Sequence, residues 1–210
     1  MACTLDLETA QWDAGCDLVA GVDEAGRGPL AGPVLTAAVI LPRAFSHAVL
    51  TDSKKLSPKK RDALYEELTN STDIVWASDR AEPKEIDRIN ILKATHVSMA
   101  RAVAKLPDVP DMVLIDGLAV KGFPYSQQAV VKGDSLSLSI AAASIIAKVE
   151  RDRYMCEMAE KYPEYGFEKH KGYPTKFHVA QLQKLGPCLI HRMSFGPVAQ
   201  QMFDFDEKKK

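Results

Sequence analysis

The sequence lacks the features of several protein classes. None of its hydrophobic runs approaches the ~18 residues that a membrane-spanning helix needs. The first ten residues do not join a basic segment to an apolar one, so they do not resemble a secretory signal. The four cysteines, Cys3, Cys16, Cys156 and Cys188, lie far apart with no C-x-x-C pair, which argues against a disulfide framework or a zinc site. We therefore expect a cytoplasmic protein with reduced thiols.

The chain also lacks a strong net charge and any internal repeat. Its formal charge is -1, so the molecule as a whole has no field that would attract a polyanion. The charge is unevenly spread, because residues 165–192 contain five Lys or Arg and three His but one acid, Glu168. That stretch is either a solvated basic surface or a surface that meets a polyanion, and charge alone favours the first.

What remains is ordinary globular composition. The chain has 210 residues, 46% hydrophobic and 26% charged, which suits one domain with a sizeable core. We divide it into an N-terminal segment (1–17), a folded domain with a helical C-terminal portion (18–198) and a charged tail (199–210).

Apolar periodicity and turn residues predict a mixed α/β domain. Strands are expected at 18–22, 33–41, 74–78, 112–115 and 128–131. Helices are expected at 59–68, 82–105, 139–161 and 175–185, the first capped by Ser57 and the last stopped by Gly186-Pro187. The first two strands should form a hairpin, because ten residues between them leave no room for a crossover helix.

Acidic residues follow three of the predicted strands. They are Asp23 and Glu24, Asp116, and Asp134. Strand ends meet at one rim of an α/β sheet, where clustered carboxylates repel each other unless hard cations neutralise them. Oxygen ligands without Cys or His favour Mg²⁺ or Mn²⁺, and two such ions ~4 Å apart can act on a phosphodiester. The alternative for each acid is a plain turn residue.

The glycine-rich turn Gly26–Ala31 matches the G-x-G-x-x-G/A dinucleotide fingerprint. That motif requires a helix directly after the glycines, whereas Pro33 leads here into the strand-like run 34–40. A nucleotide-dependent oxidoreductase is therefore the weaker alternative. The bare backbone of this turn could approach a sugar-phosphate closely, with Arg27 as a phosphate partner, although a tight hairpin turn fits either case.

Seven motifs together resemble the bacterial ribonuclease HII family. They occur in order as 21–28 (GVDEAGRG), 52–56 (DSKKL), 115–117 (IDG), 132–134 (KGD), 141–152 (AAASIIAKVERD), 170–175 (HKGYPT) and 191–195 (HRMSF). The resemblance spans Leu18 to Val198 and is specific because it depends on the whole set. It implies a ribonuclease H-like fold, a central mixed β-sheet flanked by helices, with a C-terminal helical segment.

The resemblance also implies a reaction. The expected activity is endonucleolytic cleavage 5′ to a ribonucleotide, in RNA/DNA hybrids or at single ribonucleotides in duplex DNA, leaving a 3′-hydroxyl and a 5′-phosphate. The family carboxylates fall on Asp23, Glu24, Asp116 and Asp134, as catalytic ligands of a two-ion Mg²⁺ or Mn²⁺ site. A non-catalytic nucleic-acid-binding module is the other class we consider, and the presence of all four acids argues against it.

Family positions implied in substrate binding are Gly26, Arg27, Gly28, Tyr173, Lys54 and Lys55. The glycine turn and Tyr173 would recognise the 2′-hydroxyl at the RNA–DNA junction, since only that group distinguishes the two sugars. The lysines would contact phosphate. The alternatives are an ordinary core or surface aromatic for Tyr173 and a solvated turn for the lysines.

Three further expectations concern the C-terminal half. Lys148, Arg151 and Asp152 share a helix face and should form salt bridges, with contact to the substrate as the alternative. The histidines at 170, 178 and 191 lack ligand spacing and should lie on the surface or face nucleic acid. The segment Gln200–Phe205 combines glutamines with hydrophobic and aromatic residues, which leads to the hypothesis of weak sliding-clamp binding. We expect a monomer and no membrane contact.

Overall fold

A five-stranded mixed sheet organises the protein. The computed structural model describes residues 3–207, with side chains as far as Gln201. The strands are β1 (Val19–Ala25), β2 (Val34–Ile40), β3 (Val75–Ala81), β4 (Met112–Asp116) and β5 (Gln127–Val130). Their order is β3-β2-β1-β4-β5. The pairs β1–β2 and β2–β3 are antiparallel, whereas β1–β4 and β4–β5 are parallel. The expected hairpin and mixed sheet are confirmed.

Helices cover both faces of the sheet. They are α1 (Asp6–Asp13), α2 (Pro58–Asn70), α3 (Pro83–Ile89), α4 (Ile91–Ala104), α5 (Leu138–Lys161), α6 (Phe167–His170), α7 (Lys176–Leu185) and α8 (Gly196–Glu207). On one face α5 and α2 pack in a cluster with Ala37 and Val39 of β2. On the other face α4 packs against Val22 of β1 and Ile115 of β4. This arrangement confirms the predicted fold class.

The long helix α5 lies very close to the central strand. A Cβ on Gly21 would lie 2.3 Å from the backbone carbon of Ser139, so only glycine permits this approach. Residues 138–147 of α5 are all buried, including the alanines at 141–143 that allow close packing on the sheet. The buried half of α5 therefore fixes the position of β1.

Several predicted boundaries differ from the structure, among them the end of β3 at Ala81, and two of these differences change an element or the placement of an acid. The single helix expected at 82–105 is wrong, because Asn90 adopts φ 68° and separates α3 from α4. Asparagine tolerates this left-handed conformation, and its side chain caps α4 by accepting a hydrogen bond from the Lys93 N–H at 3.0 Å. In addition, β1 continues through Asp23 and Glu24 rather than ending before them, since pairing with β2 extends to Ala25.

The N-terminal segment packs against the start of α5. Glu8 is buried, and its carboxylate accepts hydrogen bonds from the Ser137 and Ser139 hydroxyls at 2.5 and 2.6 Å. It also accepts one from the Ser139 N–H at 3.0 Å. A carboxylate at a helix N-terminus accepts hydrogen bonds from donors that have no partner within the helix, and it interacts favourably with the positive end of the helix dipole. Residues 3–13 thus stabilise the turn that precedes α5.

The C-terminal portion is helical, as expected, and α7 ends at Gly186 with φ 77°. Helix α8 extends through Glu207, but side chains from Met202 onward and residues 208–210 lie outside the described part of the chain. The suggested clamp-binding segment Gln200–Phe205 falls largely there. Within residues 3–207, no helix is both long and apolar enough to cross a membrane.

Candidate active site

Three of the four predicted acids meet at one edge of the sheet. Asp23, Asp116 and Asp134 each offer a carboxylate oxygen, and these oxygens lie within 4.8 Å of one another. Asp23 lies in β1, Asp116 ends β4, and Asp134 lies in a short 3₁₀ turn after β5. Because β1, β4 and β5 run parallel and side by side, their C-terminal ends lie at the same edge.

The fourth acid, Glu24, points to the opposite face of the sheet. Consecutive side chains of a strand alternate between faces, and Glu24 borders a small cavity toward α4 that includes Leu92 and His96. Its carboxylate lies 3.4 Å from the Arg27 guanidinium. Glu24 also lines the cleft that contains Asp23, so it lies beside the carboxylate group without belonging to it.

Burial and mutual repulsion disfavour negative charge at this site. Burial raises the pKa of Asp23 well above its usual value, and the neighbouring Glu24 and Asp116 raise it further. Burial also raises the pKa of Asp116, with Asp134 adding to the effect. The backbone N–H groups of Glu24 and Gly133 donate to Asp23 and Asp116 at 2.6 and 2.7 Å. A divalent cation among these oxygens would remove the remaining repulsion.

Two neighbouring lysines differ in what they contact. The Lys54 ammonium lies 3.3 Å from a carboxylate oxygen of Asp134 and 3.8 Å from Asp52. Burial alone would lower the pKa of Lys54, but Asp134 and Asp52 raise it on balance. The Lys55 ammonium instead donates to the Ser135 hydroxyl at 3.1 Å. Lys54 therefore reaches the acidic group directly, whereas Lys55 lies next to it.

The glycine turn and Tyr173 form the other end of the same cleft. This cleft, of about 250 Å³, has residues 26–28, Tyr173 and the acids Asp23, Glu24 and Asp116 in its lining. Gly26 has φ 97°, and a Cβ there would overlap the Arg151 side chain. A Cβ on Gly28 would instead lie 3.7 Å from the Tyr173 ring, in the cleft itself. Tyr173 is 43% exposed, so its ring is accessible.

Sequence reasoning did not identify a pair of serines beneath the acids. Ser144 of α5 donates to the Ser53 hydroxyl at 2.9 Å, and both side chains are buried. The neighbouring Ser144 hydroxyl also acts to lower the pKa of Asp23. Nothing in the local pattern distinguishes Ser144 from its helical neighbours, because its role depends on α5 packing onto β1.

One expected salt bridge forms, and Arg151 does not join it. Lys148 and Asp152 lie 2.7 Å apart, and Lys148 lines the cleft. The expectation for Arg151 was wrong. Its buried guanidinium donates to the backbone carbonyls of Ala31, Pro33 and Lys171 at 3.2, 3.0 and 3.0 Å. These partners come from distant segments that only the fold brings to α5.

The expectation for the histidines was also wrong in part. His178 and His191 are buried rather than on the surface, and His170 is half-buried against the His178 ring at a centroid distance of 4.4 Å. Arg192 is also fully buried. The basic stretch at residues 165–192 therefore contributes exposed lysines but is not a uniform basic surface. His178 and His191 both pack against the Phe167 ring, and His191 also packs against Tyr165.

Comparisons with known proteins agree with this geometry. A family profile for Ribonuclease HII matches residues 20–198. A ribonuclease HII from Caldicellulosiruptor bescii is 50% identical over 190 residues, which cover 90% of this chain and 92% of that protein. The crystal structure of ribonuclease H2 from Pyrococcus horikoshii OT3 superposes with a TM-score of 0.73 at 26% identity, covering 90% of this chain and 99% of that one.

A second solved structure is a PCNA:RNase HII complex from Archaeoglobus fulgidus. It gives a TM-score of 0.68 at 26% identity and covers 85% of this chain and 95% of that one. The profile and the 50% identical relative both extend over most of the chain. The protein therefore belongs to the ribonuclease HII family and is a metal-dependent nuclease of the ribonuclease H class.

Proposed function

We propose that the protein hydrolyses the phosphodiester bond on the 5′ side of a ribonucleotide. Its substrates would be RNA/DNA hybrids and single ribonucleotides in duplex DNA, and its products a 3′-hydroxyl and a 5′-phosphate. One observation carries this proposal. The acids Asp23, Glu24 and Asp116 line a single cleft together with the turn at residues 26–28 and Tyr173, so a bound sugar and the phosphate next to it would meet both.

The donor set suits Mg²⁺ or Mn²⁺. Asp23, Asp116 and Asp134 supply hard oxygen ligands close enough to share an ion, and Glu24 borders the same cleft as a further ligand. A pair of such ions would activate water and stabilise the leaving oxygen of the phosphodiester. The role of the protein itself is to hold these carboxylates together, and the backbone N–H groups of Gly133 and Glu24 support this by donating to Asp116 and Asp23.

Recognition of ribose would depend on the other end of the cleft. Gly28 has no side chain, so its backbone could approach the 2′-hydroxyl, the group that distinguishes RNA from DNA. The accessible Tyr173 ring would pack against the sugar of the following deoxyribonucleotide. A deoxyribonucleotide at this position lacks the 2′-hydroxyl and would leave polar groups of the turn without a hydrogen-bond partner. This loss is an effective basis for rejecting DNA as a substrate.

Cationic side chains around the cleft would bind the phosphates. Arg27 is half-exposed, with its guanidinium 3.4 Å from Glu24, and Lys54 is three-quarters exposed beside Asp134. Both can exchange a carboxylate partner for a phosphate oxygen, as ion-pairing side chains at an accessible surface commonly do. Lys55 would add a weaker contact from its position beside Ser135.

One assay tests substrate and cofactor together. Duplex DNA with a single ribonucleotide, and the same duplex without it, are incubated with Mg²⁺, with Mn²⁺ or with a chelator. We expect a single nick on the 5′ side of the ribonucleotide, with metal only. Asp116→Asn should abolish it, whereas Glu160→Gln, at an exposed acid on α5, should not. Cleavage of the all-DNA duplex, or cleavage in chelator, would contradict the proposal.

The proposal includes a partner and an assembly state. The Archaeoglobus fulgidus relative was solved as a PCNA:RNase HII complex, which supports weak sliding-clamp binding by Gln200–Phe205 of this chain. All residues of the candidate site come from one chain, so a monomer suffices for activity. Deletion of residues 200–210 should reduce clamp affinity without changing cleavage. Unchanged clamp affinity would rule out this contact.

A further inference from the structure

We infer that two buried residues, His178 and Arg192, position the two sides of the cleft that would read the sugar. Arg192 holds the backbone of the turn at residues 26–32. His178 holds the backbone of Tyr173 and accepts a hydrogen bond from His191, the neighbour of Arg192 in the chain. These contacts do not depend on the substrate, whereas their effect on ribose selectivity rests on the proposed function.

The hydrogen bonds of the Arg192 guanidinium all go to backbone oxygens. It donates to the carbonyls of Gly26, Arg27, Pro29 and Gly32 at 2.6, 2.9, 2.8 and 2.9 Å. The side chain is fully buried, and no described carboxylate lies within salt-bridge distance of it. A guanidinium presents five N–H donors in a rigid plane, so a single residue can fix four carbonyls of one turn. The turn cannot change shape without breaking several of these bonds.

Backbone pairing joins the same segment to the turn. The Arg192 N–H donates to the Leu30 carbonyl and the Gly32 N–H donates to the Ile190 carbonyl, each at 2.8 Å. The Leu30 N–H donates in turn to the Gly172 carbonyl at 2.8 Å. Because Gly172 precedes Tyr173, the turn is hydrogen-bonded both to residues 190–192 and to the backbone next to Tyr173.

A chain of neutral imidazoles extends from this stretch to Tyr173. The Cys188 N–H donates to Nδ1 of His191 at 3.0 Å, so the proton of that ring is on Nε2. This Nε2–H donates to Nε2 of His178 at 3.1 Å. Nδ1 of His178 therefore carries a proton, which it donates to the Tyr173 carbonyl at 2.9 Å. The partners determine both tautomers.

The position of His178 explains why an aromatic of similar size would not replace it. A phenylalanine could fill the space between Phe167 and His170, which both contact the His178 ring. It would remove one of the two donors to the Tyr173 carbonyl, which also accepts from the Thr175 N–H at 2.8 Å, and it would remove the acceptor for His191. The Tyr173 backbone would then keep its local hydrogen bonds with His170 and Thr175 but lose its tie to α7 through the His178 side chain.

Two sets of variants test this inference. Arg192→Lys keeps the charge but places all its donors on one atom, which cannot reach four carbonyls. At position 178, the amide nitrogen of Asn lies close to where the histidine has Nδ1, so it can still donate to the Tyr173 carbonyl. The amide nitrogen of Gln lies close to where the histidine has Nε2, so it cannot donate to that carbonyl. Arg153→Lys is the matched control, because Arg153 of α5 is half-exposed and pairs with Glu66 at the surface.

The main readout is discrimination between sugars. In an Asp116→Asn background, which prevents cleavage, affinity is compared for duplex DNA with and without one ribonucleotide. We expect Arg192→Lys and His178→Gln to reduce this affinity ratio by about tenfold or more. His178→Asn and Arg153→Lys should keep it, and Mn²⁺ affinity of the otherwise wild-type protein should change in none of the four.

A second readout does not depend on the proposed substrate. Amide hydrogen exchange at residues 26–32 and 172–173 should accelerate in Arg192→Lys and His178→Gln and not in the controls.

Equal exchange and an equal affinity ratio in folded variants would overturn the inference. So would equal losses in His178→Asn and His178→Gln, since these indicate packing alone. If Arg192→Lys does not fold, the comparison of His178→Asn with His178→Gln decides whether the inference holds. If the parent protein shows no ribose preference, the proposed function fails, and exchange still tests the positioning.

Discussion

Asp23 and Glu24 are neighbours in β1, yet their side chains lie on opposite faces of the sheet. Asp23 is buried beneath α5, near the Ser144 hydroxyl. Glu24 points toward α4 and lies beside Arg27. The alternation of a strand therefore gives two adjacent carboxylates different surroundings, and they should respond differently to substitution.

Asp23→Asn should abolish cleavage and stabilise the metal-free protein. The pKa of Asp23 is raised, so its ionised form opposes folding at neutral pH, and a neutral amide should increase the free energy of unfolding. The measurement is the urea midpoint in chelator and in Mg²⁺. Mg²⁺ should stabilise the parent protein more than the variant. A less stable metal-free variant would contradict this view of the buried charge.

Glu24→Gln should separate metal binding from cleavage. The other three acids approach one another without Glu24, so one ion should still bind to them after the substitution. Cleavage should fall by about a hundredfold or more, since transition-state charge stabilisation is lost. Calorimetry with Mn²⁺ measures the number of ions and their affinity. Loss of all Mn²⁺ binding in a folded Glu24→Gln protein would show that Glu24 is needed for the first ion.

Alanine substitutions at two glycines of the same turn should have different effects, one on stability and the other on activity. Gly26→Ala should destabilise the protein by about 2 kcal/mol or more, because φ is positive and the new Cβ overlaps Arg151. Gly28→Ala should leave stability within about 0.5 kcal/mol but reduce kcat/KM by about tenfold, because its methyl group enters the cleft near Tyr173. Thermal melts and steady-state kinetics distinguish the two.

Gly196→Ala serves as the control for both glycines, since a Cβ there meets nothing within 4 Å. If Gly28→Ala keeps full activity on a duplex with one ribonucleotide, the sugar does not approach the turn at that point. A stable, fully active Gly26→Ala protein would show that the turn adapts, in contrast to the rigid arrangement described above.

The buried histidines should make stability depend on mildly acidic pH. Burial lowers the pKa of both His178 and His191 from 6.5 to about 4. The unfolded chain therefore binds more protons between these values, and stability should be full above pH 6.5 and decline as pH falls toward 4. Urea unfolding at several pH values measures this slope. His178→Asn should reduce it, and an unchanged slope would assign the acid sensitivity to other groups.

Glu8→Ala should weaken the attachment of the N-terminal segment. The substitution leaves the hydroxyls of Ser137 and Ser139 and one backbone N–H without their acceptor, with an expected loss of about 1–3 kcal/mol. Asp6→Ala, at an exposed acid of α1, is the control. Chemical denaturation gives the comparison. Equal effects of the two substitutions would show that the Glu8 hydrogen bonds add nothing to stability.

Local patterns in the sequence predicted much of the fold. Ser57 and Pro58 marked the start of α2, and Gly186 marked the end of α7, because caps and breakers act on the nearest turn of backbone. The same locality explains the error at Asn90, where apolar spacing continues across a residue that interrupts the helix. Periodicity reports which face is buried and not whether the backbone is continuous.

The sequence by itself determined which acids occur at the ends of strands, the glycine turn and the family motifs, since each is a short pattern of residue types. Only the tertiary structure decided that Asp23 and Glu24 face opposite sides, and that Arg151, Arg192 and His178 are buried. The partners of Arg192 lie more than 150 residues away in the chain. Backbone carbonyls accept such bonds whatever their residue type, so no local pattern could have identified them.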